Sequence, residues 1–155
     1  MMSLLGFLLG CIGGLRSLTA PAVVCWAAHF GWLRFDGTWL AFLDRSVVLI
    51  AVTVLAIGEL IADKLPKTPA RTAPVGLIAR IVLGAGSAAA LAVSAHTGVA
   101  LAAVAGALGG IAGAFGGYHL RHFLVAKKGL PDFAVAIAED LVAIIGGLVI
   151  VSRVA

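Results

Sequence analysis

AIAEDLVAIIGGLVIV, residues 136–151, is oily enough to cross a membrane except for two adjacent acids, Glu139 and Asp140. A soluble amphipathic helix would surround such acids with other polar residues, whereas the rest of this stretch is apolar or glycine. It reads as a membrane helix that carries charge, and the composition of the chain agrees. Of 155 residues, 62% are hydrophobic and 12% charged, against roughly 25% charged in ordinary soluble domains; mean hydropathy is +1.14. Because about 20 apolar residues cross one hydrocarbon layer, this length predicts a single transmembrane domain, residues 1–155, with no sizeable extramembrane part.

Outward from that stretch, hydrophobic segments occupy residues 4–28, 46–62, 74–95, 98–123 and 133–151. They are rich in Ala, Leu and Gly and lack the alternation of a membrane barrel. The expected fold is therefore all-α, a polytopic bundle of about five spans. Trp26, Trp32 and Trp39 cluster at the first connection, where amphipathic rings favour the headgroup region, so residues 29–45 read as interfacial with a short surface helix. Lys64, Lys67 and Arg71 follow the second segment and Arg121, Lys127 and Lys128 the fourth, against Arg34, Arg45 and Arg153 on the opposite side. By the positive-inside bias, the N-terminus and the basic loops are expected in the cytoplasm and the C-terminus outside.

The net charge of +4 is read as that orientation signal. No nucleic-acid partner is expected, because the bases scatter at span ends without interleaved exposed aromatics. Cys11 and Cys25 fall in one segment, about 21 Å apart along a helix, too far to pair with each other, and read as buried thiols. Leu8-Leu9-Gly10-Cys11 loosely resembles a lipoprotein cleavage site but lacks the basic start and longer apolar core of a signal peptide.

Small residues recur every four positions: Gly6, Gly10 and Gly14 in the first segment, and Ala105, Gly109, Gly113 and Gly117 in the fourth, beside Ala102, Gly106 and Gly110. Such rows, a glycine zipper, let backbones approach closely and serve either packing within the bundle or a homo-oligomer seam. Gly13-Gly14, Gly109-Gly110, Gly116-Gly117 and Pro21 are places where a helix can unwind, as transporter sites often require.

Charges within the spans are the candidate site: Arg16, Glu59, Asp63, Arg80, Arg121, Glu139 and Asp140. An intramembrane charge costs from about 2.5 to well over 10 kcal/mol, so each should face the interior and find a partner or water. Arginine suits this role, since its planar fork holds a carboxylate in two hydrogen bonds. Glu139 and Asp140, about 100° apart on a helix, should serve two different interfaces. Two readings stand: an ion-pair network that sets helix register, or a water-accessible cavity for an ion or small polar solute with one carboxylate able to take a proton. His119 and His122 with Glu139 or Asp132 make a remote metal set, and boundary histidines are the plainer reading. No nucleophile–base pattern or phosphate-cradling loop is present, so neither an enzyme nor a cofactor is expected. Ala56-Ile57-Gly58-Glu59 and Ala136-Ile137-Ala138-Glu139 are alike, yet an inverted repeat would put the glutamates at opposite depths, whereas both fall toward the basic side.

Gly14-Leu15-Arg16 followed by Pro21, GELIADKLPKTPART over residues 58–72, Arg80 with the glycines after it, and GLPDFAVAIAED over residues 129–140 together resemble the small bacterial integral-membrane family catalogued as domain of unknown function 4126. The resemblance covers nearly the whole chain; it implies a multi-span membrane protein and no particular reaction. Within it, KLPKTPART reads physically as a proline-punctuated loop held by three bases at an anionic leaflet, or as a mouth that recognises an anionic substrate or lipid headgroup. The expected function is a small inner-membrane channel or transporter, a homo-oligomer in contact with membrane lipid. The alternative is a non-transporting scaffold or lipid-interacting module pinned by the same charges.

Overall fold

The computed structural model describes residues 1–64 and 72–154. They form six α-helices: α1 (Met2–Leu15), α2 (Thr19–His29), α3 (Ser46–Ala62), α4 (Pro74–Ser94), α5 (Val99–His122) and α6 (Asp132–Ser152). A 3-10 turn lies at Ala41–Asp44 and a π-helical turn at Phe123–Lys127, and no strand occurs among the described residues. Most of KLPKTPART, including Lys67 and Arg71, lies outside them. Three helices, α4, α5 with its π extension, and α6, are long and apolar enough to cross a membrane, while α1 and α3 are shorter apolar helices. The molecule is an all-helical membrane protein.

The sequence segments at 46–62, 74–95, 98–123 and 133–151 each become one helix. The segment at 4–28 does not. It breaks at Arg16-Ser17-Leu18, where Arg16 takes an extended conformation (φ −141°, ψ 106°). Pro21 disfavours a continuous helix here: it has no N–H to give the Ser17 carbonyl, and its ring crowds that carbonyl. In the first turn of α2 the same proline is harmless, because N–H groups there have no intrahelical partner. Gly109-Gly110 and Gly116-Gly117, also read as unwinding points, sit within or at the end of an unbroken α5.

Neighbours across the helices set their directions. Gly6, Gly10 and Gly14 lie against Ala102, Gly106 and Gly110 in turn, so α1 runs parallel to α5. Ala88 meets Gly6 and Gly84 meets Gly13, which makes α4 antiparallel to α1. Ile12 lies against Gly146 while Val23 lies against Gly147 and Arg16 reaches Asp140. Hence α1 opposes α6 and α2 follows it. The two short helices are therefore a hairpin, with Gly13 facing Ala20 across it. Leu9, Ile12, Val23, Val24, Leu91 and Val151 belong to the apolar core that holds the hairpin in the bundle.

One end of the bundle thus gathers both termini, the α4–α5 turn and the connection after α2, whose Arg34 N–H donates to Ser94 Oγ at 2.9 Å. The opposite end carries the hairpin tip, the end of α3 with Lys64, and Arg121, Lys127 and Lys128. This corrects the expectation that the N-terminus shares a side with the basic residues. The reason is local: a chain that turns back at Arg16 returns to the end from which it started. The interfacial reading of residues 29–45 meets a 3-10 turn with Leu33, Phe35 and Leu40 buried and Trp39 exposed. Outward faces of α3, α4 and α5 expose Val47, Val54, Val75, Val82, Leu101 and Val104, as helices facing acyl chains do.

Candidate functional site: a charge network at the hairpin tip

Breaking a helix inside an apolar bundle leaves carbonyls at one end and N–H groups at the other without intrahelical partners, each costing several kcal/mol in hydrocarbon. Both ends are met by opposite charge. Glu59, from the last turn of α3, accepts the Ser17 N–H at 2.8 Å and the Ser17 hydroxyl on Oε1, and the Leu18 N–H at 2.8 Å on Oε2. The carboxylate sits at the positive end of the α2 dipole. Arg80, from the second turn of α4, donates Nε to the Gly14 carbonyl at 3.1 Å and Nη1 to the Gly76 carbonyl at 3.0 Å. Its charge lies at the negative end of α1. The two caps approach each other, Arg80 Nη2 to Glu59 Oε1, at 3.7 Å.

Arg16 itself is fully buried, 0% exposed. Its Nε donates to Asp140 Oδ1 at 2.7 Å, Nη2 lies 2.7 Å from the same oxygen, and Nη1 pairs with Asp63 Oδ2. Lys64 Nζ completes the set, donating to Asp140 Oδ2 at 2.6 Å and to the Leu60 carbonyl at 2.9 Å. Asp140 is thereby clamped between two cations from different elements. Glu139 turns the other way, toward α5, where Arg121 Nη1 stands 3.5 Å from its Oε2. Arg121 also holds Asp132, the first residue of α6, in a two-pronged pair with both contacts at 2.8 Å.

The structure brings all seven candidate residues to the hairpin-tip end: Arg16, Glu59, Asp63, Arg80 and Asp140 around the tip, with Arg121 and Glu139 in a flanking pair. Three participants were read otherwise in the sequence. Ser17 carried no signal. Lys64 was read as a loop anchor, although its place beside Asp63, one turn past Glu59, puts it on the same helix end. Asp132 was weighed only as a metal ligand. Among the described residues no group of three or more His, Cys, Asp or Glu side chains converges as for a metal. His119 and His122 instead lie against the Tyr118 ring. Glu59 and Glu139 occupy antiparallel helices yet reach the same end of the bundle, which is not the placement of an inverted repeat.

Chemically, this is a polar centre built from the ends of two half-helices and four charged elements, with Arg16, Arg80, Glu139 and Asp140 buried and Asp132 exposed. Comparison with curated proteins and with solved structures gives no match. A family model does match, over residues 3–152, described as Domain of unknown function (DUF4126). With its broken first segment, Glu59 and Arg80 caps and the Glu139-Asp140 pair all inside the matched span, the chain belongs to the DUF4126 family.

Proposed function

We propose that the chain is a small transport protein of the bacterial inner membrane, a channel or transporter for an ion or small polar solute, with the network at the hairpin tip as its gate. The observation that carries this reading is the broken helix. Half-helix ends facing charged groups inside a membrane bundle are how transporter sites hold ions and polar solutes. Stability alone is a weak reason for such a centre, since well-packed apolar residues often replace a buried ion pair at no loss. In this reading Arg16 and Asp140 are the closed latch, Glu59 and Glu139 are the proton-coupling carboxylates, and α1 and α2 move as a unit. The basic end faces the cytoplasm and both termini lie outside. Copies associate through the open faces of α3 and α4, where Gly58 and Gly86 meet no neighbouring atoms.

A second reading, a non-transporting scaffold, draws on the pairing itself: Arg16, Glu59, Asp63, Lys64 and Asp140 each have a partner. Reconstituted vesicles separate the two. Proton, potassium and chloride flux would be recorded for the native chain and for Arg16→Ala, Glu59→Gln and Glu139→Gln. The transport reading expects flux above empty vesicles that at least one variant changes by tenfold or more. Flux equal to empty vesicles leaves the scaffold; flux above them that is unchanged in all three correctly folded variants removes the charge network as the gate.

A further inference from the structure

Beside the charge network, a groove of about 290 Å³ lies between the end of α5 and the start of α6. That is near the lower end of the range for small-ligand pockets, about 300–1,000 Å³. Its walls are Leu120, Leu124, Leu130, Val135 and Val142, with Leu15 of the hairpin as floor, and Glu139 is the one charged residue lining it. The two helices touch little and are bridged here by Arg121 to Asp132 and Glu139.

The α5–α6 connection, whose residues Leu124 and Leu130 line this groove, differs from the rest of the basic end. Arg121 and Lys64 are paired with acids, whereas Lys127 and Lys128 are exposed and have no carboxylate partner among the described residues. Each lies over the Phe123 ring, at 5.9 and 5.8 Å from its centroid. They follow the lining residue Leu124 and immediately precede Gly129 and Leu130, and Gly129 takes φ +67°, a turn that glycine adopts without strain. The π turn at Phe123–Lys127 that delivers them is a rare element found preferentially at functional sites.

We infer that this groove is a binding site for one anionic phospholipid, its acyl chain against the leucines and its phosphate at Lys127 and Lys128. The almost wholly aliphatic walls suit a chain from the bilayer, and unpaired positive charge on the connection that joins two of its lining leucines suits a headgroup of net negative charge. Each lysine near an anionic headgroup contributes about a fivefold preference. The site is independent of whether a solute is carried.

Native mass spectrometry of the delipidated full chain, titrated with phosphatidylglycerol and with phosphatidylcholine, tests it. Phosphatidylglycerol should be retained at least fivefold better, and the double variant Lys127→Ala, Lys128→Ala should lose that preference while keeping its circular dichroism. Ala134→Trp, which fills the groove from an exposed lining position, should lower retention of both lipids. Substituting Lys67 and Arg71 should leave the preference in place. Equal retention of the two lipids by the native chain, or a preference that survives the lysine substitutions, overturns the proposal. So does a preference lost only with Lys67 and Arg71. A dimer that dissociates on Ala134→Trp, with no lipid selectivity, would give the groove to a second copy instead.

Discussion

Arg16 is the residue on which the polar centre turns, because it is fully buried and joins α6 to the end of α3 from the tip of the hairpin. Its removal strands Asp63, while Asp140 keeps only Lys64. Breaking a buried pair from one side costs about 3–5 kcal/mol, more than removing both partners. Arg16→Ala is therefore expected to lower stability by about that amount in detergent, measured by denaturation with circular dichroism. Arg16→Ala with Asp140→Ala should recover part of the loss; a double variant as unstable as the sum of the singles would refute coupling. Arg16→Lys should fall between, since a single ammonium cannot fork toward two carboxylates. At this scale the helix period made one feature legible: adjacent acids about 100° apart must face different neighbours. Glu139 accordingly faces Arg121 and Asp140 faces Arg16 and Lys64. Which cation meets which acid was not legible, because that choice depends on the hairpin.

Among the elements, α1 and α5 show how glycine spacing becomes contact. A methyl group at Gly10 would run into the Gly106 backbone, one at Gly109 into the Phe7 carbonyl, and one at Gly113 into Cys11. Backbone cannot yield as a side chain does, so Gly10→Ala and Gly109→Ala are each expected to cost about 1–3 kcal/mol through forced separation of the helices. Gly116→Ala, at a position with no neighbour within 4 Å, should cost nothing and stabilise by up to about 1 kcal/mol through helix propensity. Parallel thermal melts check this, and equal effects at Gly10 and Gly116 would contradict the packing. In the sequence, four-residue spacing left packing within the bundle and an oligomer seam both open. It did not say that α1 would run parallel to α5, which requires the chain between them to reverse direction an odd number of extra times.

For the molecule as a whole, the hairpin sets where the ends of the chain lie. Reporter fusions at the N- and C-termini are expected on one side of the membrane, with a reporter inserted beside Lys128 on the other; termini on opposite sides would mean that the first segment crosses once. The sequence by itself determined the helical class, four of the five helical segments, the membrane environment and the identity of the charged residues. Those follow from local hydrophobicity and helix period, which neighbouring residues carry. Only the tertiary structure decided that the remaining segment folds back at Arg16. Glycine and proline permit a break there without requiring one; it persists because Glu59 and Arg80, distant in the chain, satisfy the backbone groups it exposes. Side chains brought from two other helices stabilise that turn, and no local pattern records their arrival.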